Sequence, residues 1–303
     1  FFVLYARLDE VDLNHDVPVE ERPEIDRWLI ALLNNTVKTA TAAMDNFDAK
    51  TAGDAIEHFV DQLSNWYVRR NRRRFWKAAH GDDKQAAYRT LYEALTTVAR
   101  LVAPFMPFMA EALHQNLVRN HRPDAPLSVH MDEWPEVVDA YMNASLLEDV
   151  AVVQRVVGLG RSAREAHKLR VRQPLARLLV RAPSPRAAES VQRLAGQIME
   201  ELNVKEVETI AQDAGLVSYR IKPNLPRVGR RYGKMNPAIR AALSKTDGAL
   251  IAADVASGRD HKLVVDGSEL VFEPEDFLIE TESAQGFACA EEEGYLAALD
   301  TAL

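Results

Sequence analysis

Apolar residues in the first half of the chain recur at steps of three and four positions, which is the spacing of helices with one buried face. Five such stretches are predicted, starting near Ile25, Asp48, Asp83, Phe108 and Leu146. Asp48 is a favourable N-cap, and a glycine just before Asp83 interrupts the preceding stretch. The lengths of these stretches and the breaks between them predict an antiparallel helical bundle.

In the second half of the chain the pattern changes to short apolar or alternating runs, which predict strands. The predicted strands cover residues 178–180, 217–221, 263–265 and 270–272. Asp266-Gly267 separates the last two runs and predicts a tight hairpin, because both turn positions favour positive φ. We also predict helices at 191–202 and 249–255, and an amphipathic segment from Tyr295.

These two patterns divide the chain into three expected parts. Residues 1–22 are expected to be a connecting segment, residues 23–168 the helical domain, and residues 169–303 the smaller domain. The predicted fold class is mainly α, an antiparallel helical bundle followed by a smaller α+β domain. Phe1 opens inside an apolar run and the segment from Tyr295 stops without a cap, so we expect both ends to be cut ends and the last domain to be truncated.

The formal charge of −8 argues against nucleic acid as a partner, but this charge is unevenly distributed. Residues 263–303 contain eleven acidic residues and no Lys or Arg, so the other 262 residues carry 37 basic and 34 acidic side chains. Local clusters of basic residues create the potential that holds phosphates, whatever the net charge.

Cysteine content and hydropathy exclude other classes. Cys289 is the only cysteine, so neither an internal disulfide nor a cysteine-rich zinc site can form. No apolar stretch approaches the roughly 18 to 20 residues that span a bilayer. We expect no membrane partner and a cytoplasmic location.

The densest feature is an arginine-rich segment, residues 66–76, with five arginines, four aromatic residues and no carboxylate. Arginine matches phosphate oxygens with a planar fork, and aromatic faces stack on unpaired bases. On a helix, Arg69, Arg72 or Arg73, and Trp76 share one face. The alternative is a solvated end of a core helix. We expect the aromatic residues mainly in the core, and the arginines to bind RNA, because like charges at helical spacing need a partner. The predicted RNA contacts here are Arg69, Arg70, Arg72, Arg73, Arg74 and Trp76.

Two further basic sets leave their alternatives open. Residues 220–234 contain six basic residues and no acid, and their two prolines and two glycines predict an extended loop. This loop either contacts RNA or is flexible and contacts nothing, and its predicted RNA contacts are Lys222, Arg227, Arg230, Arg231 and Lys234. The third set lies between the two predicted domains, and we consider both RNA and the acidic segment 263–303 as partners for Arg161, Arg164, Lys168, Arg170 and Arg172.

No catalytic centre is predicted. The eight histidines are scattered, and no glycine-rich phosphate loop follows a strand. No nucleophile has a base partner nearby in sequence. His114 and His121 lie seven positions apart with no carboxylate or cysteine at ligand spacing, so no metal site is predicted.

Four segments carry a more specific signal: residues 25–29 (IDRWL), 65–76 (NWYVRRNRRRFW), 103–111 (APFMPFMAE) and 128–135 (SVHMDEWP). In this order they resemble the anticodon-binding helical domain of class I aminoacyl-tRNA synthetases for branched aliphatic amino acids. Residues 169–175 (LRVRQPL), together with 222–224 (KPN) and 232–234 (YGK), resemble the region after that domain in isoleucyl-tRNA synthetases. This favours isoleucine over valine or leucine, and the match covers nearly the whole chain.

The resemblance implies a tRNA-binding part of a larger enzyme, which attaches isoleucine to its tRNA using ATP with Mg²⁺. The His-x-Gly-His and Lys-Met-Ser-Lys-Ser motifs of the family's catalytic fold are absent, and Lys234-Met235 is only a superficial echo of the second. We therefore expect no catalytic residue and no cofactor in this chain, which should be inactive alone. Its expected partners are the anticodon arm of isoleucine tRNA and the catalytic and editing domains of the same enzyme. The alternatives are the corresponding part of a valyl-tRNA synthetase and a helical protein-interaction scaffold.

Overall fold

The chain divides after Glu148 into two units, residues 1–148 and 149–303. The structure is a computed structural model that describes residues 1–13, 15, 17–76, 81–211 and 215–302. The first unit is a bundle of helices, and the second combines strands with shorter helices, so the predicted fold class is confirmed. Within the described ranges, no helix has the length and apolarity needed to cross a bilayer.

Helices of very different lengths form the first unit. They are α1 (Phe2–Leu8), α2 (Glu24–Asp45), α3 (Ala49–Asp61), α4 (Arg69–Trp76), α5 (Asp82–Val102) and α6 (Pro107–His114). A π-helical turn, Gln62–Val68, joins α3 to α4 without a break in the helical path. As predicted, Asp48 caps α3, where its carboxylate accepts a hydrogen bond from the Thr51 amide at 3.0 Å.

One apolar stripe on each long helix builds the core of this bundle, because burying these side chains removes apolar surface from water. The fully buried side chains on α2 and α5 include Leu29, Val37, Ala40, Tyr88, Leu91 and Leu101. Leu29, Ala40, Tyr88 and Leu91 belong to the predicted stripes. Phe47, which we predicted at the end of the stripe on α2, is instead 97% exposed.

The second unit contains α7 (Ala144–Ala166) from Asp149 onward and, in its described ranges, five further α-helices. These are α8 (Pro185–Arg193), α9 (Ala195–Leu202), α10 (Leu225–Tyr232), α11 (Asn236–Leu243) and α12 (Gly248–Ala256). The strands are β1 (Leu175–Arg181), β2 (Val204–Ile210), β3 (Val217–Pro223), β4 (His261–Val265), β5 (Ser268–Phe272), β6 (Phe277–Ser283), β7 (Phe287–Glu292) and β8 (Tyr295–Asp300).

Four strands form one mixed sheet in the order β2-β1-β8-β7. β1 and β2 are parallel and are connected through α8 and α9, whereas the β1–β8 and β7–β8 pairs are antiparallel. β3 pairs with β6, and β4 pairs with β5. The β4–β5 turn has φ of 49° at Asp266 and 81° at Gly267, so the predicted hairpin is confirmed.

The extended loop that we predicted over residues 220–234 is wrong. This segment forms the end of β3, then α10 and a short 3-10 turn. Pro226 lies in the first turn of α10, where the missing amide of proline costs no hydrogen bond. The prolines and glycines there mark helix ends, not an irregular loop.

Two other predictions for the second unit are also wrong. The segment from Tyr295 is not amphipathic but is strand β8, buried along nearly its whole length because β1 and β7 flank it. The helix predicted at 191–202 is two helices that meet at Leu194. From Asp149 onward α7 lies in the second unit, where the Asp149 carboxylate accepts a hydrogen bond from Ser190 at 2.6 Å. The domain boundary that we expect after residue 168 stays a prediction.

Candidate nucleic-acid interface

Helix α4 presents the arginine-rich segment with one buried and one exposed face. Asn71 and Phe75 are buried in the bundle. Arg69, Arg72 and Arg73 are exposed, and Trp76 is 52% exposed beside them. The face that we predicted these residues to share is therefore the solvent face of the helix.

Two arginines at the centre of the exposed face have no neutralising partner among the described residues. The side chains of Arg72 and Arg73 make no ion pair or hydrogen bond with any residue in that part of the chain. The Arg69 Nε donates a hydrogen bond to the Asn65 carbonyl oxygen at 2.8 Å, which aligns this side chain with the helix. Cations at three- and four-residue spacing repel one another, and phosphate groups between them would remove that repulsion.

A fully buried carboxylate fixes the opposite side of this segment. Asp26 on α2 is 0% exposed and accepts a hydrogen bond from the Tyr67 hydroxyl at 2.7 Å. Arg74 grips the same carboxylate with both terminal nitrogens, at 2.7 and 2.8 Å, and its Nε donates to Asp83 at 3.0 Å. Arg74, one of the predicted RNA contacts, is thus bound within the bundle and anchors α4 to α2 and α5.

This network shifts the titration of both its donors. Burial raises the pKa of the Tyr67 hydroxyl well above its ordinary value, and the charge of Asp26 raises it further. Burial would lower the pKa of Arg74, but the hydrogen bonds and charge of Asp26 outweigh burial and raise that pKa. Because both pKa values are raised, Tyr67 stays neutral and Arg74 stays charged at neutral and moderately alkaline pH.

The aromatic residues of the segment are mainly in the core, as predicted. Trp66 is 7% exposed, and Tyr67 and Phe75 are almost fully buried. The Arg70 guanidinium lies over the Trp66 ring, 5.0 Å from its centroid. Trp76 is the exception, since half of its surface is open to solvent and can accept a stacked base.

The second basic segment is paired with the acidic end of the chain. Lys222 Nζ lies 2.5 Å from Glu280, and Arg227 and Arg231 lie 3.3 and 2.8 Å from the buried Asp276. The alternative in which this segment contacts nothing is therefore wrong. Any phosphate would have to compete with these carboxylates.

Two predicted contacts in that segment stand apart from these pairs. Arg230 and Lys234 are exposed, and neither has an ion pair or hydrogen bond with the residues that the structure describes. RNA contact at these two positions stays a prediction.

The third basic set, between the two predicted domains, also contains both buried or paired residues and exposed ones. Arg161 pairs with a glutamate of α9, and Arg164 is buried. Lys168, Arg170 and Arg172 are exposed. In the described ranges none of these five residues pairs with the acidic segment 263–303.

Comparison with known proteins decides the family. A family model described as the anticodon-binding domain of tRNA ligase matches residues 26–180, about half of the chain. The chain belongs to this family. As an anticodon-binding domain it is 48% identical, over its whole length, to an isoleucine-tRNA ligase of Deinococcus radiodurans. It is 46% identical, over 99% of its length, to an isoleucine-tRNA ligase of Thermus thermophilus. The chain spans 28% and 29% of the length of these two relatives.

Sequence reasoning missed Asp26 as the residue that orients α4 in this anticodon-binding domain. One signal was available: Asp26 lies beside Ile25 and close to Trp28 and Leu29, in the apolar stripe of α2. A carboxylate in a buried stripe needs donors or a cation as partners. The arginine-rich segment, residues 66–76, could supply these donors and this cation.

Proposed function

We propose that this anticodon-binding domain holds the anticodon arm of isoleucine tRNA, as part of a cytoplasmic ligase that attaches isoleucine to that tRNA. The exposed face of α4 carries the proposal, since Arg72 and Arg73 have no carboxylate partner among the described residues. Isoleucine is proposed because both relatives are named isoleucine-tRNA ligases.

Each side chain of this face has a chemical role in the proposal. The guanidinium groups of Arg69, Arg72 and Arg73 contact backbone phosphates, which sets the position of the RNA. Arg70 lies at the edge of the same face, over Trp66. Trp76 offers an open ring on which an unpaired anticodon base stacks.

The chemistry of the ligase is proposed to lie outside this chain. The catalytic and editing domains of the same enzyme are its proposed partners, and ATP with Mg²⁺ would bind to the catalytic domain. The chain alone should therefore give no exchange of pyrophosphate into ATP in the presence of isoleucine. Exchange above a protein-free blank would contradict this part of the proposal.

Binding of the chain to tRNA transcripts tests the proposal directly. Fluorescence anisotropy with transcripts for isoleucine, valine and an unrelated amino acid should give the tightest binding with the first. An Arg72→Gln/Arg73→Gln variant should bind more weakly, and its plot of log affinity against log salt should be shallower by about 1.4 on unpaired RNA.

A variant with the same change in net charge is the control. In Lys50→Gln/Lys262→Gln each lysine already has a carboxylate partner, Asp54 and Glu269 respectively. This variant should retain the wild-type salt dependence. Equal losses in both variants, or no binding of any transcript at low salt, would contradict the proposal. Tighter binding of the valine transcript would indicate that the chain belongs to a valyl enzyme.

A further inference from the structure

A basic loop between α7 and β1, in the second unit, carries exposed cations. Residues 167–174 form this junction loop, which contains no Asp or Glu. The side chains of Lys168, Arg170 and Arg172 are exposed, and across the described ranges none makes an ion pair or hydrogen bond. Three cations within five residues repel one another unless an anion lies among them.

A buried arginine fixes the backbone of the junction loop. Arg164 is 1% exposed, and its two terminal nitrogens donate to the Arg170 and Leu202 carbonyl oxygens at 2.8 and 2.7 Å. Burial lowers the pKa of Arg164, because its hydrogen bonds go to carbonyl groups and not to a carboxylate. Burying a guanidinium in this way costs free energy. The hydrogen bonds of Arg164 fix the position of the loop.

A second side chain holds the next residues of the loop. The Asn203 amide nitrogen donates to the Val171 and Arg172 carbonyl oxygens, at 3.3 and 3.0 Å. The loop therefore turns consecutive carbonyl oxygens inward, toward Arg164 and Asn203. Its outer surface carries the cationic side chains, while these carbonyl oxygens, the negative ends of the backbone dipoles, point away from that surface. This arrangement favours the binding of an anion.

Within the described ranges, the acidic end of the chain does not supply that anion. Its residues Glu291, Glu293 and Asp300 pair with arginines of α7 and β1 that lie outside the junction loop. The alternative that we left open for this basic set, in which the acidic segment is the partner, is therefore not supported by any pair among the described residues. A phosphate group of another molecule can supply the anion.

We propose that the junction loop is a second phosphate-binding site for tRNA, at which Lys168, Arg170 and Arg172 contact backbone phosphates. This inference rests on the proposed function, which supplies the RNA. Contacts of this kind add salt-dependent affinity and fix the position of the RNA without reading its bases.

Removal of the three charges tests the site. In the 303-residue chain, Lys168→Gln/Arg170→Gln/Arg172→Gln should make the salt dependence of isoleucine-tRNA binding shallower by about 2 to 3 in log–log slope. Near 0.1 M salt this corresponds to roughly a 100-fold loss of affinity. Circular dichroism should be unchanged, because the three side chains hold no other residue in place.

A triple variant at paired sites is the matched control. Lys50, Arg259 and Lys262 are exposed and pair with Asp54, Asp254 and Glu269. Their replacement by Gln gives the same net charge and should leave the salt slope near the wild-type value. An unchanged slope in the junction-loop variant, or equal losses in the two triple variants, would overturn the site.

Phosphate ethylation interference gives an independent readout. Ethylation of a phosphate weakens binding when the protein contacts that phosphate. The phosphates at which ethylation no longer weakens binding in the junction-loop variant should differ from those identified with Arg72→Gln/Arg73→Gln. Loss of the same phosphates in both variants would overturn a separate site. If the wild-type chain bound no tRNA, the proposed function itself would fail. Binding by the wild type with an unaffected junction-loop variant would remove only the second site.

Asn203→Gly tests the fixed backbone without removing a charge. Asn203 has φ of 50°, which glycine adopts readily, so the turn is kept while the two hydrogen bonds to the loop are lost. We expect affinity to fall several-fold with little change in salt slope. Unchanged affinity would show that the loop needs no such support.

Discussion

The buried pair of Asp26 and Arg74 allows a quantitative test through a double-mutant cycle. Among the described residues, Asp26→Ala leaves the Arg74 guanidinium, which is 15% exposed, with Asp83 as its ionic partner. Arg74→Met leaves the Asp26 carboxylate, which is fully buried, with the Tyr67 hydroxyl as its donor within the same described ranges. Breaking a buried pair by removing one partner typically costs about 3 to 5 kcal/mol.

The structure predicts which single variant loses more unfolding free energy. Asp83 is more than half exposed and still neutralises part of the Arg74 charge. The loss of unfolding free energy for Asp26→Ala should therefore lie near the lower end of the range, about 3 kcal/mol. Asp26 has no second cation in the part of the chain that the structure describes, so the loss of unfolding free energy for Arg74→Met should lie near the upper end of the range, about 5 kcal/mol. The double variant buries no unpaired charge. Its loss should be smaller than that of Arg74→Met alone, so the coupling free energy should be about 3 kcal/mol or more.

Tryptophan fluorescence during urea unfolding measures the unfolding free energy of the first unit of the protein. All four tryptophans, Trp28, Trp66, Trp76 and Trp134, lie in the first unit, so the signal is blind to the second. A parallel cycle on the exposed pair of Lys50 and Asp54 should give a much smaller coupling, because water and salt screen this pair. Additive losses for Asp26 and Arg74, within about 0.5 kcal/mol, would refute the buried-pair reasoning.

Two further predictions concern the second unit, followed by circular dichroism. Burial would raise the pKa of Asp149, but hydrogen bonds from Ser190 and Arg193 outweigh it and hold the pKa below its ordinary value of 3.8. The stability that Asp149→Asn removes should thus be present at pH 7 and vanish as pH falls through that lowered pKa; a constant difference down to pH 2 would contradict the assignment. In α7, Gly158→Ala meets no atom within 4 Å and should stabilise the helix by about 0.5 to 1 kcal/mol. Gly160→Ala would place its Cβ 2.3 Å from a Leu202 methyl group and should destabilise by about 1 to 3 kcal/mol, so similar effects at the two glycines would contradict the packing.

The sequence predicted what depends on local periodicity and turn chemistry. The stripes on α2 and α5, the cap at Asp48 and the hairpin at Asp266 all follow from interactions within a few residues. The exposed face of α4 also follows, because helical spacing alone decides which arginines lie together.

The features that sequence could not supply are long-range. Asp26 and Arg74 are 48 positions apart, and nothing local indicates that this arginine turns inward while its neighbours turn outward. β8 becomes a buried strand only because β1 and β7 flank it. An apolar run of this length is equally compatible with a helix until its neighbours are known.

Three basic clusters that look alike in composition become distinct once the carboxylates around them are located. Acids from the end of the chain neutralise Lys222, Arg227 and Arg231, so the negative net charge of the protein is partly consumed in these internal pairs. It does not screen α4 or the junction loop, whose central cations have no such partner in the described ranges. Because the potential near a surface depends on local pairing and falls off within a Debye length, about 10 Å at 0.1 M salt, these two places can attract phosphate on an acidic protein. The net charge is therefore a poor guide to RNA binding here, and the arrangement of unpaired arginines and lysines is the better one.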